Sequence, residues 1–128
     1  ALLMMELSRV NWAGFYLMKR GGLVLGPFQG KPAVDCIPLG KGVCGTAALS
    51  LKPQVVEDVR RCENHIACDI SSASEIVIPI FSNGNLFGVI DMDSPFPARF
   101  DAEDLAGLSI LAERIGQIAA ARTHEDSL

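Results

Sequence analysis

The hydrophobic pattern of this chain changes period several times. Residues 1–8 (ALLMMELS) read as the end of an amphipathic helix whose beginning is expected to lie outside the chain. In 10–18 (VNWAGFYLM) aromatic and β-favouring residues alternate, with Trp12, Gly14 and Tyr16 on one face and Ala13, Phe15 and Leu17 on the other. Arg20, Gly21 and Gly22 supply a turn, and LVLGPF (23–28) is the partner strand. Both faces of this hairpin are apolar, so its sheet should be covered on both sides.

Gly30, Lys31 and Pro32 mark a loop, and AVDCIPL (33–39) reads as a short strand with Val34 and Cys36 on one face. GKGVCGTA (40–47) opens a helix, and QVVEDV (54–59) fits another short strand. Residues 60–74 show neither a period of two nor one of 3.6 and are expected to form an irregular loop with one or two helical turns. EIVIPIFSNGNLFGVIDMDS (75–94) is a hairpin of two central strands around Asn83-Gly84. From Asp101, a candidate N-cap, Leu105, Leu108, Leu111, Ile115 and Ile118 form a helical stripe that should pack on the sheet. Antiparallel hairpins flanked by helices make an α+β sandwich.

The 128 residues are 49% hydrophobic and 20% charged, enough for one core and one domain spanning 1–128. A net charge of −4 lacks the basic excess that binds phosphate backbones, so nucleic acid is not an expected partner. No apolar run reaches the ~20 residues needed to span a bilayer, and no signal peptide is evident, although the start at Ala1 points to a missing N-terminus. A cytoplasmic location is expected.

Cys36, Cys44, Cys62 and Cys68 contain no C-x-x-C pair, which argues against structural zinc, and the apolar content makes disulfide staples unnecessary. Buried inert thiols or redox chemistry remain. The glycines at 40, 42 and 45 allow a close approach at a helix start, but GKGVCG matches neither the P-loop nor the dinucleotide fingerprint.

Cys68 sits in the irregular loop between His65 and Asp69, where a thiolate can be stabilised; taken blind, a cysteine is more often a small buried hydrophobe. Glu75 follows at a strand start. Asp91 and Asp93 share one face of an otherwise apolar strand. Crowded and desolvated, such carboxyls hold a proton at neutral pH or grip an ammonium group; at a strand end in water they do neither. Trp12 and Tyr16 form either an aromatic wall suited to a methyl-sulfur group or a plain core layer.

NWAGFYL (11–17), LGPFQGKPA (25–33), IPLGKGVCGTA (37–47), EDV (57–59), HIACD (65–69), SEIVIPI (74–80) and GVIDMDSP (88–95) occur here in one order. Together they resemble the free methionine-R-sulfoxide reductases, which are single GAF domains. The resemblance implies a mainly antiparallel sheet flanked by helices, closed over a small amino acid. It implies Cys68 as nucleophile, Glu75, Asp91 and Asp93 as pocket carboxylates, Trp12 and Tyr16 as aromatic wall, and Cys44 as a second family cysteine. The implied reaction is reduction of free methionine-R-sulfoxide through a sulfenic acid and a disulfide, recycled by thioredoxin or a similar dithiol. It requires no metal or organic cofactor, and a homodimer is compatible with it. A ligand-binding GAF sensor is the alternative.

One departure concerns the resolving thiol. The family's GPFQGKxAC places a cysteine where Val34 stands, and Cys36 follows two residues later. On a strand that moves the thiol by ~6–7 Å while keeping its face. Cys36, rather than Cys44 or Cys62, is therefore expected to pair with Cys68, with a movement of the Cys68 loop.

Overall fold

A computed structural model of the protein describes residues 2–61 and 72–126. Six strands form one antiparallel sheet in the order β3-β2-β1-β6-β5-β4. They are β1 (Trp12–Lys19), β2 (Gly22–Gln29), β3 (Cys36–Pro38), β4 (Gln54–Val56), β5 (Ser74–Ser82) and β6 (Asn85–Ser94). Among the described residues three helices accompany them: α1 (Leu2–Glu6), α2 (Gly42–Ser50) and α3 (Ala102–Asp126). None of the described helices is long and apolar enough to cross a membrane.

Both tight hairpins form where the turn residues demand them. Arg20 and Gly21 have φ of 50° and 82°, and Asn83 and Gly84 have 52° and 78°. Two successive positive φ values match the right-handed twist of the flanking strands. β5 and β6 then pair along their whole length, with β6 beside β1 at the centre of the sheet and β5 between β6 and the edge strand β4.

The alternation along β1 sorts the core into two layers. On one face Trp12 and Tyr16 join Leu23, Ile37, Val77 and Val89 beneath Val43, Cys44, Ala47 and Ala48 of α2. On the other, Ala13, Ile76, Ile78, Ile80, Ile90 and Met92 lie beneath Leu108 and Ala112 of α3. α2 is built from small residues and is buried nearly all round, which lets its backbone lie close to the sheet. Its Gly45 is what permits that approach: a Cβ there would stand 2.6 Å from the Pro38 carbonyl oxygen.

Asp101 caps α3 as expected. Its Oδ1 accepts from the Asp104 amide at 3.0 Å, and Asp104 Oδ2 accepts from the Asp101 amide at 2.9 Å, a reciprocal capping box. The buried stripe of α3 differs at its far end. Ile118 is 49% exposed, while Ala112 and Gly116 face the sheet. The helix touches β5 so closely that only small residues fit, and a Cβ on Gly116 would overlap the Phe81 carbonyl. Gly116→Ala is expected to lower stability by about 3 kcal/mol, on the order of 10 °C in Tm. A thermal melt within two degrees of the parent would contradict this packing.

Two expected strands are shorter in the structure. β4 ends at Val56 and gives way to a 3₁₀ turn at Val59–Arg61. β3 contains only Cys36–Pro38, and residues 30–35 leave the ladder. Pro32 has no N–H to contribute, and the carbonyls of Lys31 and Val34 bond to side chains of β1.

Candidate functional site

Register brings the three carboxyl groups together. Glu75 of β5 lies opposite Asp93 of β6, which lies opposite Trp12 of β1; one row further on, Val77, Asp91 and Gly14 face each other. With a side-chain period of two, all of these positions point toward α2. Glu75, Asp91 and Asp93 are at most 2% exposed, so the reading in which the aspartates end their strand in water does not hold.

Three acidic groups in one desolvated site cannot all ionise freely. Burial, the negative charge of Asp93 and a hydrogen bond with Asp93 push the Glu75 carboxyl well above its ordinary value of 4.5. A hydrogen bond with Asp91 acts in the opposite direction. A carboxyl raised in this way keeps its proton to higher pH than an exposed glutamate does, which suits it to act as an acid.

Cys44 completes the group from the other side. It is buried in the first turn of α2, and its sulfur, a Glu75 oxygen and an Asp91 oxygen lie within 4.8 Å of one another. The N-terminal amides of the helix offset negative charge here. These same three donors are the set among the described residues that could converge on a cation.

An aromatic wall borders the carboxyls. Trp12 stacks on Tyr16 with ring centroids 6.1 Å apart and on Phe28 at 5.7 Å. Gly14 leaves the space that makes this stacking feasible, since a Cβ there would stand 2.6 Å from both the indole and the Phe28 Cβ. Phe28 was not apparent from the sequence as part of the wall. Its signal was a cross-strand one, because it pairs with the glycine of the Trp12-Gly14-Tyr16 face. The polar tips of the wall reach over β2: Trp12 Nε1 donates to the Lys31 carbonyl at 3.0 Å and Tyr16 Oη to the Val34 carbonyl at 2.9 Å.

Cys36 lies elsewhere, and the expectation that it keeps the face of position 34 is corrected by the structure. In β3, Ile37 points toward α2 beside Leu23, so Cys36 and its partner Val24 point to the opposite face. Cys36 is exposed on an edge strand, in the row of Leu17 and Gly88. Asp93 is five residues along β6 from that row and three strands over, offsets of ~17 Å and ~14 Å. Residues 33–35 are not strand, so a two-residue shift does not preserve the face there. Cys68, Cys62 and His65 lie outside the described residues.

An open groove of about 560 Å³ runs between α3 and the end of β5, lined by Ile78, Phe81, Ala112 and Gly116 among others. None of the three clustered carboxyls lines it, and the chemistry lies on the other face of the sheet.

The sequence model of the GAF domain matches residues 3–119. The free methionine-R-sulfoxide reductase of Escherichia coli is 48% identical over 94% of this chain and 73% of its own length. The structure of fRMsr of Staphylococcus aureus in its reduced form superposes with a TM-score of 0.87 at 48% identity, covering 93% of this chain and 77% of that one. The free methionine-R-sulfoxide reductase of Neisseria meningitidis, solved in complex with its substrate, gives 0.88 at 42% identity over 96% and 76%.

Proposed function

Since this chain belongs to the GAF-domain family and aligns over most of its length with free methionine-R-sulfoxide reductases, we propose that it reduces free methionine-(R)-sulfoxide to methionine by a thiol mechanism. The observation that carries the reading is the buried Glu75, set between Asp93, Asp91 and the Cys44 thiol with its carboxyl pushed upward by burial and by Asp93.

Sulfoxide reduction needs a nucleophile for sulfur and a proton for the oxygen that leaves it. Cys68, in the HIACD motif, is the nucleophile in this reading. As its sulfur takes the oxygen, Glu75 protonates that oxygen, methionine is released, and Cys68 is left as a sulfenic acid. The substrate sulfur gains two electrons and Cys68 loses two. A second thiol then attacks the sulfenic sulfur, expelling water and forming a disulfide, which a thioredoxin-like dithiol reopens by exchange. Cys44 takes that second role here, because it is the thiol seated among the carboxyls, whereas Cys36 lies on the other face of the sheet.

The same groups account for choice of substrate. Aspartate carboxylates can hold the ammonium of a free amino acid, and the Trp12, Tyr16 and Phe28 rings suit its methyl-sulfur end. The test is incubation with dithiothreitol and chromatographic detection of methionine. Free methionine-(R)-sulfoxide should turn over, and its N-acetyl derivative should lose at least ~100-fold in kcat/KM, because the buried carboxylates would be left without their partner. Equal rates on the two compounds would remove the ammonium site from this account. Binding of methionine with no turnover would instead favour a ligand sensor.

A further inference from the structure

The segment between β2 and β3 runs back along the sheet without joining it. β2 ends at Gln29, yet β3 begins at Cys36 opposite Val24, so residues 30–35 retrace that length outside the ladder. Lys31, Pro32, Val34 and Asp35 are exposed, and Ala33 packs against the α2-side core. Hydrogen bonds that fasten the segment run from Trp12 Nε1 to the Lys31 carbonyl, from Tyr16 Oη to the Val34 carbonyl, and from the Leu25 amide to the Asp35 carbonyl at 2.8 Å.

The two ends of this strap differ. At Gly30, φ is +134°, and a Cβ would stand 2.7 Å from the Trp12 ring and 2.8 Å from the Asn11 carbonyl oxygen. Backbone and indole are pressed together there. The other end carries exposed residues, and the Tyr16 hydroxyl supplies its link to β1.

We propose that Tyr16 and Trp12 are positioning residues that hold residues 30–35 as a strap over the aromatic wall, and that free methionine sulfoxide is admitted when the strap pivots at Gly30 and releases at the Tyr16–Val34 hydrogen bond. The proposal rests on the substrate pocket assigned above. It gives each of these side chains two functions: the ring is wall, and the polar tip is fastening. A peptide loop held by neutral hydrogen bonds at one end opens at modest cost, which suits a gate for a small substrate.

Tyr16→Phe keeps the ring and removes the catch. In this variant the Leu25 amide, whose acceptor lies at the strap's end, should exchange about tenfold faster by NMR-detected hydrogen exchange, with β5 and β6 amides unchanged. KM for free methionine-(R)-sulfoxide should rise several-fold, by a larger factor than any fall in kcat. Trp12, the single tryptophan, should keep its emission maximum, because the Gly30 end stays seated. In the parent protein, added methionine should slow Leu25 exchange. Unchanged Leu25 exchange in Tyr16→Phe, acceleration spread evenly over the sheet, or a loss confined to kcat would each overturn the proposal. The exchange measurements with methionine need no turnover. A protein inactive on the sulfoxide that still shows them would retain the strap and lose the assigned reaction.

Discussion

Glu75→Gln should reduce kcat/KM for free methionine-(R)-sulfoxide by about 10²- to 10⁴-fold, the usual worth of a positioned general acid, and should at the same time stabilise the fold. Glutamine keeps the shape and much of the hydrogen bonding toward Asp91 and Asp93 but has no transferable proton. The stability gain follows from linkage. The folded-state carboxyl of Glu75 sits well above its ordinary 4.5 because of burial and the charge of Asp93, so above pH 4.5 the folded chain holds a proton that the unfolded chain has lost. Wild-type stability therefore falls as pH rises from 4.5 until the raised folded value is passed, and glutamine removes that decline. The variant should melt a few degrees higher at neutral pH, corresponding to about 1 kcal/mol. Activity of the parent should fade on the alkaline side as Glu75 loses its proton. Asp93→Asn should move that limb to lower pH, and Asp91→Asn to higher pH, in line with the opposite effects of the two neighbours. A Glu75→Gln protein with near-normal turnover and an unchanged alkaline limb would assign the proton to another group.

Asp91 and Asp93 were legible together because residues two apart on a strand share a face, and the family resemblance added Glu75. Counting outward from Asn83-Gly84 sets Glu75 opposite Met92, and a register shift between Ile80 and Phe81 is what brings it opposite Asp93 and keeps Ile76 and Ile78 in the α3-side core. The Trp12–Tyr16 face followed from the same alternation. What escaped the sequence depended on contacts between segments far apart along the chain. Nothing local in PAVDCIPL says that Val34 is held by a tyrosine eighteen residues earlier, so an extended pattern was read as strand and Cys36 was given the wrong face. The α3 stripe failed for a related reason. Ile118 continues a 3.6-residue period, but the helix approaches Phe81 through Ala112 and Gly116, and small residues carry no hydrophobic signal. The proximity of Cys44 to Glu75 and Asp91 belongs to the packing of α2 on the sheet, which no one segment encodes.

The cysteine series should separate the thiols by orders of magnitude. Cys68→Ser is expected to abolish methionine formation, because a serine hydroxyl is not ionised near neutral pH and is a far weaker nucleophile toward sulfur. Residual turnover above a few per cent would remove Cys68 from the mechanism. Cys36→Ser should leave turnover within twofold under either dithiothreitol or thioredoxin, since that thiol sits on an edge strand facing away from the carboxyls. Cys44→Ser should be intermediate. Its first turnover should proceed, because oxygen transfer needs only Cys68 and the Glu75 proton. Recycling should slow at least ~10-fold with thioredoxin, which acts on disulfides, and less with excess dithiothreitol, which can attack the sulfenic acid directly. The decisive measurement is peptide mapping after one equivalent of substrate, with remaining thiols blocked. A dominant Cys44–Cys68 peptide is expected. A Cys36–Cys68 peptide in its place would return the resolving role to Cys36. A Cys62–Cys68 peptide would place the whole redox cycle within the segment that carries the nucleophile.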